Sequence, residues 1–209
     1  MPPESTALAP LLQHRALRVR QTKEWAEILT GFEGRNRYQV VGDNGQPLFF
    51  AGEVGSGVGL FLVRSFFKAK RPFTMELKTP TGVTALRLRR PLRLLFSHMK
   101  VEDGEGRLLG SIQQRFAFFS RIYEVRGPSG EVLGRLRGPL FSPWTFILEE
   151  NGKDVGRIQK RWGGLGKEMF SEADNFGVVF EKEQDARLRT LAVAATFLID
   201  FVHFENYGV

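Results

Sequence analysis

From Tyr38 onward the chain repeats one pattern: a run of alternating apolar and polar residues, a short turn ending in glycine, and a second alternating run. The flanks read YQVV-GDNG-QPLFFA, FTMEL-KTPTG-VTALRL, MKVED-GEG-RLLGSI, YEVRG-PSG-EVLGRL and FILEE-NG-KDVGRI. Alternation with a period of two puts every second side chain on one face of a strand. Glycine in the turn supplies the positive φ that tight hairpins demand. The turn glycines are Gly45, Gly82, Gly106, Gly130 and Gly152, the last four at intervals of 24, 24 and 22 residues. In three units a second glycine (Gly110, Gly134, Gly156) follows four residues later, where a bulge or a close approach of backbone is expected. Five hairpins give ten strands, and residues 169–171 and 177–180 could add two more. About twelve antiparallel strands in one domain splay unless they close on themselves. The pattern therefore predicts a mainly β chain, a twelve-stranded closed antiparallel barrel.

The period changes at residue 185. Residues 185–205 hold the run LAVAATFLIDFVHF, 14 residues interrupted by Asp200, shorter than the roughly 17–25 apolar residues that span a bilayer. At 100° per residue, Asp185, Arg189, Thr196, Asp200 and His203 fall within about 60° of one another, a single polar seam. A helix apolar on its remaining faces has to be buried. Two places suit it, the barrel interior as a plug or the membrane, and the plug is the expectation carried forward. Residues 1–22 read as a flexible tail, because PPESTALAP has little periodicity, and the barrel domain is expected over 23–209. Residues 21–29 fit a short helix with Trp25, Ile28 and Leu29 on one face.

Composition narrows the chemistry. With 42% hydrophobic residues and nineteen Phe among 209 residues, the body can bury a substantial core. The absence of cysteine removes disulfides, thiolate metal sites and cysteine nucleophiles. Three histidines, His14, His98 and His203, are too scattered for a metal centre. The first residues lack a charged-then-apolar leader pattern, so a cytoplasmic protein is expected. Net charge is +7, and residues 64–93 alone carry nine Lys or Arg against one acidic residue. A local field of this kind suits anionic lipid headgroups or, less well, nucleic acid, or else a solubilising face.

Eight ordered segments resemble the phospholipid scramblase family, within the tubby C-terminal-like (LURP-one-related) superfamily. They are EILTGFEGRNRYQV (27–40), GQPLFFAGE (45–53), RPFTMEL (71–77), RLRRPLR (87–93), GPL (138–140), VGRIQKRWGG (155–164), EADNFGVVF (172–180) and FLIDFVHFE (197–205). The resemblance implies a tubby-like fold, a twelve-stranded barrel around a central C-terminal helix. It also implies a membrane-associated protein on the inner face of the membrane, credited with calcium-dependent, energy-independent movement of phospholipids between leaflets. Barrels of this fold also bind phosphoinositides, so a tether or regulator, with nucleic-acid binding as a further role, is the alternative. The family's acylated cysteine clusters are missing. At corresponding places the chain holds GLFLVRSFFKAK (59–70), LRLLFSHMK (92–100) and LFSPWTF (140–146).

Those loops supply the candidate membrane contacts. Phe61, Phe66 and Phe67 beside Lys68, Lys70 and Arg71 would wedge into headgroups and pair with phosphates, unless the apolar residues are inward strand positions. Arg87 and Arg89, with Arg135 and Arg137, have the Arg-x-Arg spacing that points both side chains to one face of a strand. A weak calcium site is the only cofactor suggested, from Glu172, Asp174, Asn175, Glu183 and Asp185. Read as a twelve-residue loop, this stretch has oxygens at the first, third and twelfth places and glycine at the sixth, but Phe176 and Phe180 at the fifth and ninth. A structural turn is the simpler reading. The seam residues Arg189, Thr196, Asp200 and His203 could line a lipid path, or Asp200 could be a buried carboxylate met by a barrel arginine or a backbone amide. No nucleophile–base constellation or phosphate loop stands out, and no covalent chemistry is expected.

Overall fold

In a computed structural model of the chain, the described residues are 6–22, 32, 37–55, 72–92, 95–160, 175–181 and 184–204. They form twelve strands and two α-helices. The strands are β1 (Ala16–Gln21), β2 (Arg37–Gly42), β3 (Pro47–Glu53), β4 (Phe73–Lys78), β5 (Thr84–Arg90), β6 (His98–Asp103), β7 (Leu108–Arg115), β8 (Ser120–Arg126), β9 (Val132–Pro139), β10 (Thr145–Glu150), β11 (Lys153–Lys160) and β12 (Asn175–Phe180). Each pairs antiparallel with its neighbours in sequence, and β1 pairs with both β2 and β12, which closes the barrel. The helices are α1 (Ala9–Gln13), which follows a 3-10 turn at Thr6–Leu8, and α2 (Ala186–His203).

The five glycine-turn hairpins form as the pattern predicts. All five turn glycines have positive φ, between 74° and 88°. In every hairpin the register slips by one residue on the second strand just past the turn, leaving Leu48, Ala85, Leu109, Leu133 and Val155 as the extra residues. These bulges tighten the local twist and let twelve strands curl into a closed wall. The second glycines follow the bulges. A Cβ on Gly134 would lie 2.6 Å from the Glu149 carbonyl oxygen and 2.9 Å from a Leu188 methyl, so the wall there approaches the helix too closely for any side chain.

The bore is filled. Every residue of α2 from Thr190 to Ile199 is buried, together with Leu188 and Phe201, against inward side chains such as Met75, Leu88, Val101, Ile112 and Leu136. Burial in the bore explains why the run is apolar on every face but its polar seam. Among the described residues no helix is long and apolar enough to cross a membrane. Asp185 caps α2, accepting a 2.7 Å hydrogen bond from the Arg187 backbone N–H.

The tail expected over 1–22 is corrected by β1 and α1. In β1, Leu17 and Val19 point inward and the strand supplies the wall between β2 and β12. Leu8 and Leu11 are buried, α1 packs against α2, and the Arg189 guanidinium donates to the backbone carbonyls of Leu11 and His14. The domain boundary expected at 23 therefore cuts through the barrel. β1 takes a place in the barrel that the sequence pattern did not assign to it, while residues 169–171 of the expected strand and 23–29 of the expected short helix lie outside the described residues. Gln21 itself belongs to β1.

Candidate functional site

Strand direction gives the barrel two unlike ends. One carries the tight glycine turns and the start of α2, where Arg187 meets Glu131 beside Gly130 at 3.1 Å. The other carries the longer connections and the last turn of α2. Among the described residues, three adjacent connections at this second end, β5–β6, β7–β8 and β9–β10, hold nearly all the large apolar side chains that face solvent. Leu95 is 86% exposed, Phe118 80%, Phe119 83% and Phe141 99%, with Leu92, Phe96, Phe116, Leu140 and Trp144 also exposed. Phe96, Phe116, Phe118 and Phe119 touch in series, at centroid distances of 6.4, 4.8 and 6.4 Å.

This rim is built on two arginine anchors, one half-buried and one buried. Arg121, at the start of β8, donates to the carbonyls of Pro143 (2.8 Å), Ser142 (3.2 Å) and Pro139 (3.4 Å), and its guanidinium lies 4.4 Å from the Phe146 ring centroid. The β9–β10 connection is thus tied to the neighbouring strand. Arg90, buried at the end of β5, donates to the Ser97 hydroxyl at 3.0 Å, and Ser97 exchanges backbone and side-chain hydrogen bonds with Gln114. That set fixes the β5–β6 connection against β7.

Beneath the rim sits the end of α2. Phe204 stacks on Trp144 at 5.2 Å, and the Lys160 ammonium lies 4.4 Å from the Phe204 centroid and 5.3 Å from that of Phe176. Lys160 also pairs with Asp200 at 3.5 Å, and the Tyr38 hydroxyl donates to the other Asp200 oxygen at 2.6 Å. His203 Nε2 lies 2.7 Å from the Tyr123 hydroxyl. Burial pushes the Tyr123 phenol above its ordinary range, and burial with help from the Arg121 charge pulls His203 down to about 4. At neutral pH the imidazole is uncharged and accepts the tyrosine proton's hydrogen bond.

The polar seam is consequently not a continuous path. Asp185 is a cap, Arg189 is turned to the N-terminal segment, and the Thr196 hydroxyl donates back to the Ala192 carbonyl at 3.3 Å. Asp200 is met by a tyrosine and a lysine from the wall, where an arginine or backbone amide was expected. A shared helix face put these groups in line, but the wall closes over each at a different height.

The expected arginine set lies on the outer wall and is engaged in cross-strand ion pairs. Arg87 pairs with Glu76 at 2.8 Å, Arg89 with Glu102 at 3.1 Å, Arg135 with Glu124 at 3.8 Å and Arg137 with Glu149 at 2.5 Å. Phe61, Phe66, Phe67, Lys68, Lys70 and Arg71 lie outside the described residues, as do Glu172, Asp174, Glu183 and Trp162. The remaining calcium candidates do not share a site. Asn175 opens β12 and Asp185 follows its far end, so a strand of six residues, roughly 17 Å, separates them. Calcium ligands stand only about 2.4 Å from the ion. Residues 175–180 run as extended strand, so Asn175 and Asp185 do not ligate one calcium ion together. Among the described residues no group of three or more acidic or histidine side chains could hold a metal.

The sequence reading missed Phe116, Phe118 and Phe119. The signal was present: FAFF breaks the alternation between two hairpins and is bracketed by Arg115 and Arg121.

Comparison with known proteins gives a consistent answer. A family model described as Scramblase matches residues 1–206. The chain is 29% identical to phospholipid scramblase 1 of Mus musculus, over 99% of this chain and 67% of that protein. It is 31% identical to phospholipid scramblase 2 of Bos taurus, over 93% and 70%. Identity is 24% to altered inheritance rate of mitochondria protein 25 of Saccharomyces cerevisiae, over 88% and 69%. The chain thus spans about two thirds of the length of these relatives. An X-ray structure of a protein from Arabidopsis thaliana superposes with a TM-score of 0.50 at 13% identity, covering 88% of this chain and 90% of that one, which bears on the fold alone.

Proposed function

The chain belongs to the scramblase family, and from that premise we propose that it binds anionic phospholipid surfaces peripherally, on the cytoplasmic side, and lets phospholipids cross between leaflets without covalent chemistry or energy input. The observation that carries the manner of action is the filled bore. With α2 buried through its central turns and the polar groups on its seam engaged, no headgroup can travel through the barrel. Movement of lipid has to occur at the exterior, where the protein disturbs packing in the leaflet it touches. A scramblase needs only to lower the barrier for a headgroup to pass the hydrocarbon, and a solid wedge at the interface does so without a channel. No step in this reading runs through calcium.

The test is a dithionite assay on phosphatidylcholine–phosphatidylserine liposomes carrying a fluorescent phospholipid, with and without calcium. Protein that scrambles makes the inner-leaflet label quenchable, and the protected fraction falls towards zero. Vesicles that bind the protein in a salt-sensitive way while their inner label stays protected would remove the transport assignment and leave a lipid-binding tether.

A further inference from the structure

We infer that the apolar rim of the β5–β6, β7–β8 and β9–β10 connections is the surface that enters the lipid leaflet, so that the barrel stands with the C-terminal end of α2 towards the membrane. The inference rests on the phospholipid reading above and adds which face engages lipid and by what means.

Four observations lead to it. Of the twelve exposed large hydrophobic residues among the described ones, nine lie on these three connections; only Val83, Leu108 and Val132 lie elsewhere, singly beside the glycine turns. Concentrated exposed apolar surface marks an interaction site, whereas scattered residues do not. Second, Phe116, Phe118 and Phe119 contact one another and Phe96, and take no part in the core. The fold does not need them. Third, the β9–β10 and β5–β6 connections are held by Arg121 and Arg90 through the hydrogen bonds described above, so little ordering cost attends their burial in a partner.

Fourth, the surroundings select the partner. The rim consists of three neighbouring loop tips, joined across two of them by the Phe96–Phe116 contact, a surface a fluid leaflet can accommodate. Arg115, paired with Glu124 at 2.8 Å, and the carbonyl-bound Arg121 bracket the aromatic tip, with Ser120 at the base of the β7–β8 connection and Ser142 exposed in the middle of the β9–β10 connection. Aromatic side chains beside cations and hydroxyls match the boundary between hydrocarbon and phosphate. The rim therefore serves as a lipid anchor made of side chains, in a chain that has no cysteine to acylate.

The same lack of cysteine allows a clean experiment. Single-cysteine variants Phe118→Cys, Phe141→Cys and Ser129→Cys, the last on the turn end, are labelled with an environment-sensitive dye and mixed with phosphatidylcholine–phosphatidylserine vesicles. The dyes at 118 and 141 shift to the blue on vesicle binding and the dye at 129 does not. A triple Phe116→Ser, Phe118→Ser, Phe119→Ser variant keeps the wild-type melting temperature and loses vesicle partitioning by about a hundredfold. Vesicle-bound protein whose 118 and 141 dyes stay aqueous would overturn the inference and leave the phospholipid reading intact. A blue shift at 118 without vesicles, together with a doubled sedimenting mass, would overturn it in favour of a self-association face. Failure of the unmodified protein to bind any vesicle would defeat the phospholipid reading and this inference with it.

Discussion

Tyr38, on β2, donates a 2.6 Å hydrogen bond to Asp200 in the last turns of α2, 162 positions further along the chain. With Lys160 on the opposite oxygen, the carboxylate joins two separate strands to the helix that fills them. Taking two charges out of water costs several kcal/mol each, so such a pair holds only while both partners remain. Lys160→Met is expected to destabilise the barrel by about 3 kcal/mol, because it takes the Lys160 ammonium away from the part-buried Asp200 carboxylate. Adding Asp200→Asn should recover much of that loss. Urea denaturation of the two single variants and the double variant measures the coupling, and simple additivity would contradict it.

The Tyr123–His203 pair makes a pH prediction. The folded imidazole is held down to about 4 by burial, while the unfolded one titrates near 6.5. Between those values the unfolded chain binds a proton that the folded chain refuses. Its contribution is complete above pH 6.5 and falls away as the pH drops towards 4, by up to about 3 kcal/mol. His203→Gln, which can still accept from Tyr123 but does not titrate, should show a shallower loss of stability than wild type over this window. Parallel slopes in urea midpoints at pH 7 and pH 4.5 would contradict the assignment.

Gly134 lies where the wall meets the helix, and a methyl group there would press on the Glu149 carbonyl and on Leu188. Both neighbours belong to packed elements. Gly134→Ala should therefore cost about 2 kcal/mol, as overpacking does, in thermal or urea unfolding. A neutral result would mean that wall and helix are less tightly apposed.

Deleting residues 1–22 removes β1 and leaves β2 and β12 as open edges, with the underside of α2 uncovered. The deletion should not yield a cooperatively unfolding monomer in far-UV circular dichroism. A soluble, cooperative deletion variant would show that the strand is dispensable.

Much of this architecture was legible because it is local. Gly82, Gly106, Gly130 and Gly152 sit in turns whose flanking strands pair with each other, so each hairpin carries its own evidence. The helix was legible because LAVAATFLIDFVHF can only be buried. β1 was not, since ALRVRQ is six residues long and its pairing with β12 joins the two ends of the chain. Nothing near it in sequence announces that contact. The rim was half legible: LFSPWTF and LRLLFSHMK were recognised as apolar loops, but whether an apolar segment faces a core or solvent is decided by the closure of the whole wall. Arg87 and Arg137 show the converse, since spacing predicted their shared outward face but not the Glu76 and Glu149 partners that neighbouring strands bring to them.

The central claim is that the barrel acts on lipid from outside while its helix stays enclosed. Photo-crosslinking from vesicles containing a diazirine-bearing phospholipid, followed by peptide mass spectrometry, tests it most directly. The account predicts adducts on the peptide spanning 115–121 and none on residues 190–199. Adducts concentrated on residues 190–199 would show that the helix leaves the barrel to meet lipid, and would contradict the account.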